Sequence, residues 1–276
     1  MTRRLIDGCD AILADLDGVV YAGPGAISEA PESLERAKSE GVPVMFVTNN
    51  ASRAVETVAE HLSELGVATR GEDVVSSAQA AAQLLSDRLP AGSRVLITGA
   101  QALSDYIAEA GLTPVSSQHD DPVAVVQGFD PEIGWSDLAE AAYTLADASV
   151  LWIATNTDGS IPRERGIAPG NGTLVDAVAR ATGRTPEVAG KPEAPIFRTG
   201  AQRLGAQRPL VIGDRLDTDI EGGVAVGDDA AVVQDHDPLR HGVGLFEVVG
   251  GEDDAGPLPV QLGEEIPHGA AQLDVD

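Results

Sequence analysis

The chain has 276 residues, 43% of them hydrophobic and 22% charged, and a formal net charge of −26. That length admits one large domain or a core with an insert, and the composition excludes a disordered chain. The charge repels nucleic acid and anionic lipid, and the single Cys9 excludes an internal disulfide or a multi-cysteine zinc site.

The first buried strand is expected at Ala11–Ala14, a short apolar run that leads directly into Asp15-Leu16-Asp17-Gly18. Helical spacing follows over Pro31–Glu40, then a second strand over Val42–Val47 that ends in Thr48-Asn49-Asn50, then a helix over Arg53–Leu65. The alternation continues with helix Ser77–Leu85, strand Arg94–Ile97, helix Ala102–Ala110, strand Val123–Val126, helix Ser136–Ala146, strand Val150–Ala154 and helix Leu174–Ala181. Gly190-Lys191-Pro192 precedes a helix over Ala194–Leu204, and strand Leu210–Ile212 ends in Gly213-Asp214-Arg215. Gly41, Gly66, Gly111 and Gly183 stand just past helices, where a left-handed cap favours glycine. Strands alternating with helices predict an α/β fold with parallel sheets and right-handed crossovers. No apolar run approaches the ~20 residues that span a bilayer. Aspartates interrupt the first segment before a signal-like apolar core is complete, so a cytoplasmic location is expected.

In such sheets ligands bind beyond the carboxyl ends of the strands, and the polar residues there suit phosphoryl transfer. Asp15 is the candidate nucleophile. Asp17 can protonate the leaving oxygen and later activate water. Magnesium takes a few protein oxygens and keeps several waters, and the Asp15 carboxylate, the Asp17 main-chain carbonyl and the Asp214 carboxylate are candidate ligands. The Thr48 hydroxyl and the N–H groups of Asn49 and Asn50 are candidate phosphate donors. Lysine occurs only at positions 38 and 191, against sixteen arginines, and Lys191 supplies the full positive charge. Asp219 is a candidate for steering Lys191 or a metal-bound water, whereas Asp217 is expected to face solvent. Each motif alone also reads as a solvated turn, a helix cap or an exposed lysine. Their order, each at a strand end or helix start, carries the argument.

These motifs resemble the four of the haloacid-dehalogenase (HAD) superfamily: Asp15 to Val19, Val47 to Asn50, Gly190 to Pro192, and Gly213 to Asp219. The large insert between the second and third, with Val126 to Asp130, Ala154 to Asp158 and Pro169 to Gly172, resembles the NagD-like, phosphoglycolate and p-nitrophenyl phosphatase subclass. Asn50 to Arg53 and Gly134 to Ala141 are most similar to actinobacterial glycerol 3-phosphate phosphatases. The resemblance implies a Rossmann-like core with a parallel sheet (1–76 and 187–240), an inserted α/β cap domain (77–186) that carries specificity, and one Mg2+. The implied activity is hydrolysis of a small phosphomonoester, with glycerol 3-phosphate leading and phosphoglycolate, pyridoxal phosphate and nucleotide or sugar phosphates as alternatives. A homodimer is the assembly considered. After Gly227 the family's last strand is expected in a shorter, more acidic form around Ala230 to Gln234, followed by an acidic tail over 241–276.

Among the cap residues, Asp130, Asn156, Asp158, Arg163 and Arg165 are candidates to face the core, and either arginine can take a second anionic group. The five histidines follow no ligand spacing, and Trp135 and Trp152 are expected as core or helix-start anchors. A receiver-type signalling domain shares the acids, threonine and lysine but is a single compact domain, which the large insert disfavours. A phosphomutase must exclude water, whereas Asp17 and an opening cap suit hydrolysis.

Overall fold

The computed structural model describes residues 5–163, 165–225 and 231–234. In chain order, β1 (Ala11–Ala14) leads into a hairpin, β2 (Tyr21–Ala22) and β3 (Gly25–Ala26), then α1 (Ala30–Ser39), β4 (Val44–Thr48), α2 (Val55–Glu64), β5 (Val74–Ser76) and α3 (Ser77–Ser86). Next come β6 (Arg94–Thr98), α4 (Gln101–Glu109), β7 (Thr113–Val115), β8 (Ala124–Gln127), α5 (Trp135–Thr144) and β9 (Leu151–Ala154). A second hairpin, β10 (Ser160–Arg163) and β11 (Gly166–Pro169), precedes α6 (Asn171–Thr182) and β12 (Glu187–Val188). The elements α7 (Ala194–Leu204), β13 (Pro209–Gly213), α8 (Glu221–Ala225) and β14 (Ala231–Gln234) complete the described chain.

Two five-stranded sheets organise these elements, β14-β13-β1-β4-β5 and β12-β9-β8-β6-β7, and every pairing within them is parallel. In the first sheet the chain winds from β1 outward through β4 and β5, then returns to the other side of β1 with β13 and β14. The winding therefore reverses between β1 and β13. In doubly wound sheets that reversal opens a crevice at the strands' carboxyl ends, where Asp15 and Asp214 lie.

All four residues of β1 are fully buried, as a central parallel strand covered on both faces requires. The helix α7 supplies part of the cover through Ile196, Phe197 and Ala201. At Gly200 a Cβ would stand 3.3 Å from Leu13 and 3.4 Å from Met45, so glycine lets the helix lie close on the sheet. Each fully buried Leu, Ile or Phe contributes about 1.5–3 kcal/mol of transfer energy. One apolar cluster runs from Ile12 and Phe46 through α3 to Leu103, Ile107 and Ile153, and so joins the two sheets' cores. A second cluster, with Leu96, Leu145 and Trp152, fills the other face of the second sheet. The Tyr106 hydroxyl of α4 accepts the Val55 N–H at the start of α2, 2.9 Å away, and so satisfies an otherwise orphan helix-end donor.

The expected α/β fold is present, and α7 has the expected bounds. The shortened last strand is present as β14, paired to β13, while the tail at 241–276 lies outside the described residues. The expected limits of the insert, 77 and 186, fall at the first residue of α3 and one residue before β12. Glu187 and Val188 pair with Ile153 and Ala154 and so belong to the second sheet. Trp152 is buried as expected, and Trp135 stands at the expected helix start as the first residue of α5, but with 78% of its surface exposed it anchors no core. Among the described residues no helix is long and apolar enough to cross a membrane.

Candidate active site

The ladder between β1 and β13 extends to Asp15, whose N–H donates to Ile212 O at 2.9 Å. That bond fixes the residue at the strand end while its carboxylate turns into the crevice. Beyond β13 a π-helical turn at Leu216–Ile220 brings Asp219 back beneath the strand. Lys191 enters from the segment before α7. Its Nζ donates to Asp15 Oδ1 at 2.5 Å and to Asp219 Oδ1 at 2.6 Å, and the three side chains are 5%, 11% and 1% exposed for Lys191, Asp15 and Asp219. Asp217 instead faces solvent, in an exposed pair with Arg215.

Burial raises the Asp15 carboxyl to about 7, against the pull of Lys191 and with the help of Asp219. For Lys191 burial opposes the charge, but the two carboxylates outweigh it and hold the ammonium above its ordinary range. Asp214 is raised by burial and then by Asp219. Asp17 has one side open to solvent, yet crowding by protein raises its carboxyl too, against Lys191, a hydrogen bond from Tyr21, Arg53 and His61. Two carboxylates facing one ammonium leave net negative charge in a poorly hydrated place. Such a site favours a further cation.

Asp15, Asp214 and Asp219 each offer an oxygen, all within 4.8 Å of one another. This all-oxygen set suits a hard divalent ion such as magnesium. The backbone is shaped around it. Gly18 has φ +82°, and a Cβ there would stand 2.1 Å from Asp214 Oδ2; one at Gly213 would stand 2.0 Å from Asp219 Cβ. Gly18→Ala is therefore expected to lower stability by about 1–2 kcal/mol from the left-handed backbone alone and to weaken magnesium binding as Asp214 is displaced. Denaturant midpoints and calorimetric titration with Mg2+ measure both, and a variant equal to the parent in both would show that the turn relaxes freely.

Thr48, at the end of β4, is buried, and its hydroxyl accepts the Asn50 N–H at 3.1 Å. The Asn50 side chain caps the next turn, accepting from Ser52 N at 3.0 Å. The Asn49 side chain is committed to Lys191 and Asp158, with Oδ1 accepting Lys191 N–H at 2.7 Å and Nδ2 donating to Lys191 O at 3.1 Å and Asp158 Oδ2 at 3.2 Å. Asn156 donates to Asn49 O at 2.8 Å. Of the second-sheet candidates, Asn156 and Asp158 thus meet the first sheet's strand end. Asp130 instead holds its own turn through Glu132 N–H, Arg163 lies 5.6 Å over the Phe129 ring, and Arg165 is exposed.

Sequence reasoning passed over Tyr21, whose hydroxyl meets Asp17 and whose ring packs edge-on to His61 at 5.2 Å. The available signal was Gly18: its positive φ turns the chain so that Gly18 N–H donates to Tyr21 O at 2.9 Å.

Acids from separate strand ends around one buried lysine, at the switch point of a doubly wound sheet, make an acid-and-lysine active site on a Rossmann-like core. The haloacid dehalogenase-like hydrolase profile matches residues 12–113, and a HAD-hydrolase-like profile matches 188–236. The acid sugar phosphatase of Staphylococcus aureus is 37% identical over 226 residues, which are 81% of this chain and 86% of the relative. The D-glycerol 3-phosphate phosphatase of Mycobacterium tuberculosis is 50% identical over 218 residues, 79% of this chain and 61% of the relative. The crystal structure of a glycerol phosphate phosphatase from that organism, in complex with magnesium, superposes with TM-score 0.78 at 48% identity, covering 82% of this chain and 68% of that one. This chain belongs to the haloacid dehalogenase-like hydrolases, as its motifs implied. It spans less than two thirds of the length of the mycobacterial D-glycerol 3-phosphate phosphatase.

Proposed function

We propose that the chain is a magnesium-dependent phosphatase that hydrolyses a small phosphomonoester through an aspartyl-phosphate on Asp15, with glycerol 3-phosphate as leading substrate. The observation that carries this reading is the buried Lys191 ammonium held between Asp15 and Asp219 at the strand ends. An Asp15 carboxylate oxygen attacks phosphorus, the ester P–O bond breaks, and Asp17 passes its proton to the leaving oxygen. The Asp17 carboxyl, raised chiefly by burial, suits a group that must hand a proton to the leaving oxygen. Asp17 then takes a proton from water, the water oxygen attacks phosphorus, and the bond to Asp15 breaks to release inorganic phosphate. Lys191 stabilises the charge on the phosphoryl oxygens. The Thr48 hydroxyl and the main-chain N–H groups of Asn49 and Asn50 receive the same oxygens, so the entering phosphoryl group replaces the internal contact between Thr48 and Asn50.

Asp15, Asp214 and the Asp17 main-chain carbonyl would hold Mg2+, with Asp219 beside them. The ion would supply the positive charge that lets an anionic nucleophile approach an anionic ester. In this reading the cap is the insert 77–186 together with Glu187 and Val188 of its sheet, over a core that takes in 5–76 and the chain from Ala189 on, and the loop with Asn156 and Asp158 faces the core. The mycobacterial relative supports glycerol 3-phosphate, and the staphylococcal one makes a sugar phosphate the second reading. A cytoplasmic homodimer without affinity for nucleic acid completes the proposal, the last point supported by the charge of −26.

Phosphate release from glycerol 3-phosphate, sugar phosphates, phosphoglycolate, pyridoxal phosphate and nucleoside monophosphates tests the reading. The highest kcat/KM is expected for glycerol 3-phosphate, with turnover abolished by EDTA and restored by Mg2+. A sugar phosphate in first place would select the second reading, and a rate indifferent to EDTA would remove the metal.

A further inference from the structure

We infer that Asn49 is the positioning residue for Lys191: its carboxamide clamps the lysine's main chain, and the second sheet's Asp158 holds that clamp in place. This deepens the proposed function and rests on the reading of Lys191 as the cation of the phosphoryl site. An asparagine side chain has two acceptor sites and two donors, and Asn49 uses both kinds on one residue. Its Oδ1 accepts Lys191 N–H at 2.7 Å and its Nδ2 donates to Lys191 O at 3.1 Å. The two contacts imitate one step of a strand ladder, and the reversed amide would set donor against donor. Nδ2 also reaches Asp158 Oδ2 at 3.2 Å, so the second sheet's loop fixes which way the amide faces.

The main chain of Asn49 is held as firmly. Its carbonyl accepts from Ser77 Oγ at 2.8 Å and from Asn156 Nδ2 at 2.8 Å. The lysine segment lies close against these groups, where only glycine fits: a Cβ on Gly190 would stand 2.4 Å from Thr155 O and 2.5 Å from Asn49 Oδ1. Lysine's long stem carries about 2 kcal/mol of rotamer entropy, so where Nζ rests depends on how its Cα is anchored. Asn49 supplies that anchor, and the loop at Asn156–Asp158 makes it depend on the second sheet being in place.

The chain has only two lysines, so protein labelled with 13Cε,15Nζ-lysine shows two ammonium signals, with Lys38 as an internal reference. In the parent, the Lys191 signal is expected to be shifted and slow to exchange with water. Asn49→Ala is expected to move it toward the Lys38 position and speed its exchange, with kcat down about 10²-fold, the cost of a misplacement near 1 Å, and KM little changed. Asn49→Asp keeps the volume and the acceptor for Lys191 N–H but turns an oxygen on Lys191 O and on Asp158 Oδ2, so a displacement is expected there too, and it serves if the alanine variant does not fold. A Lys191 signal that stays at the parent position in both variants overturns the inference, whatever their thermal midpoints. A displaced signal with unchanged turnover would leave the clamp standing and reject instead the role given to Lys191 in the reaction.

Discussion

Asp15→Asn is expected to abolish turnover, by about 10⁴-fold or more on the scale of lost covalent nucleophiles, while the fold persists. An amide cannot form the phosphoryl bond, yet its oxygen can still accept from Lys191, which keeps Asp219 as its charged partner. The variant also changes how stability depends on pH. In EDTA the Asp15 carboxyl titrates at about 7 in the folded chain against an ordinary 3.8. Between those values the native state binds more protons than the unfolded one, so this group makes stability fall as pH rises from about 4 to about 7. Asp15→Asn removes that decline, and denaturant melts at both ends of the window measure it. Parental phosphate release from the variant would reject the nucleophile, and an unaltered pH slope would reject a carboxyl that burial raises in spite of Lys191.

Lys191→Met is the more damaging change to the fold. It leaves Asp15 and Asp219 facing each other, 11% and 1% exposed, without the cation that now lies between them. Breaking a buried ion pair from one side costs about 3–5 kcal/mol, because the remaining charge cannot regain its water. The loss is expected to be greatest at pH 8 in EDTA and to shrink in acid, where the carboxylates accept protons instead. Activity is expected to fall by about 10²–10³, the effect of removing one preorganised stabilising group. Urea denaturation at pH 8 and pH 5 separates the contributions, and a variant as stable as the parent at both would mean that water or protons already neutralise the acids.

Much of this was legible in one dimension. The runs at Ala11–Ala14, Val44–Thr48 and Pro209–Gly213 are buried on both faces and end in chemistry-bearing residues, and each signal is local to its strand. The short strands β2, β3, β5, β7, β10, β11 and β12 gave no such signal. Two to four residues long, they owe their form to a neighbour's hydrogen bonds rather than to their own pattern. Asp219 at Lys191 and Asp217 in solvent agree with expectation, but only the turn that points one at Lys191 and the other at Arg215 separated steering the lysine from steering a metal-bound water.

By itself the sequence determined the α/β class, the strand ends at which polar groups gather, and which acids and which lysine were available to meet. Those follow from hydrophobic periodicity and local turn chemistry, which act over a few residues. Tertiary structure alone decided that Asn49 serves Lys191, 142 positions away, that Asp158 reaches across from the second sheet, and that Trp135 faces water. Side-chain hydrogen bonds and exposure depend on groups distant in the chain, and only packing brings those groups within reach of one another.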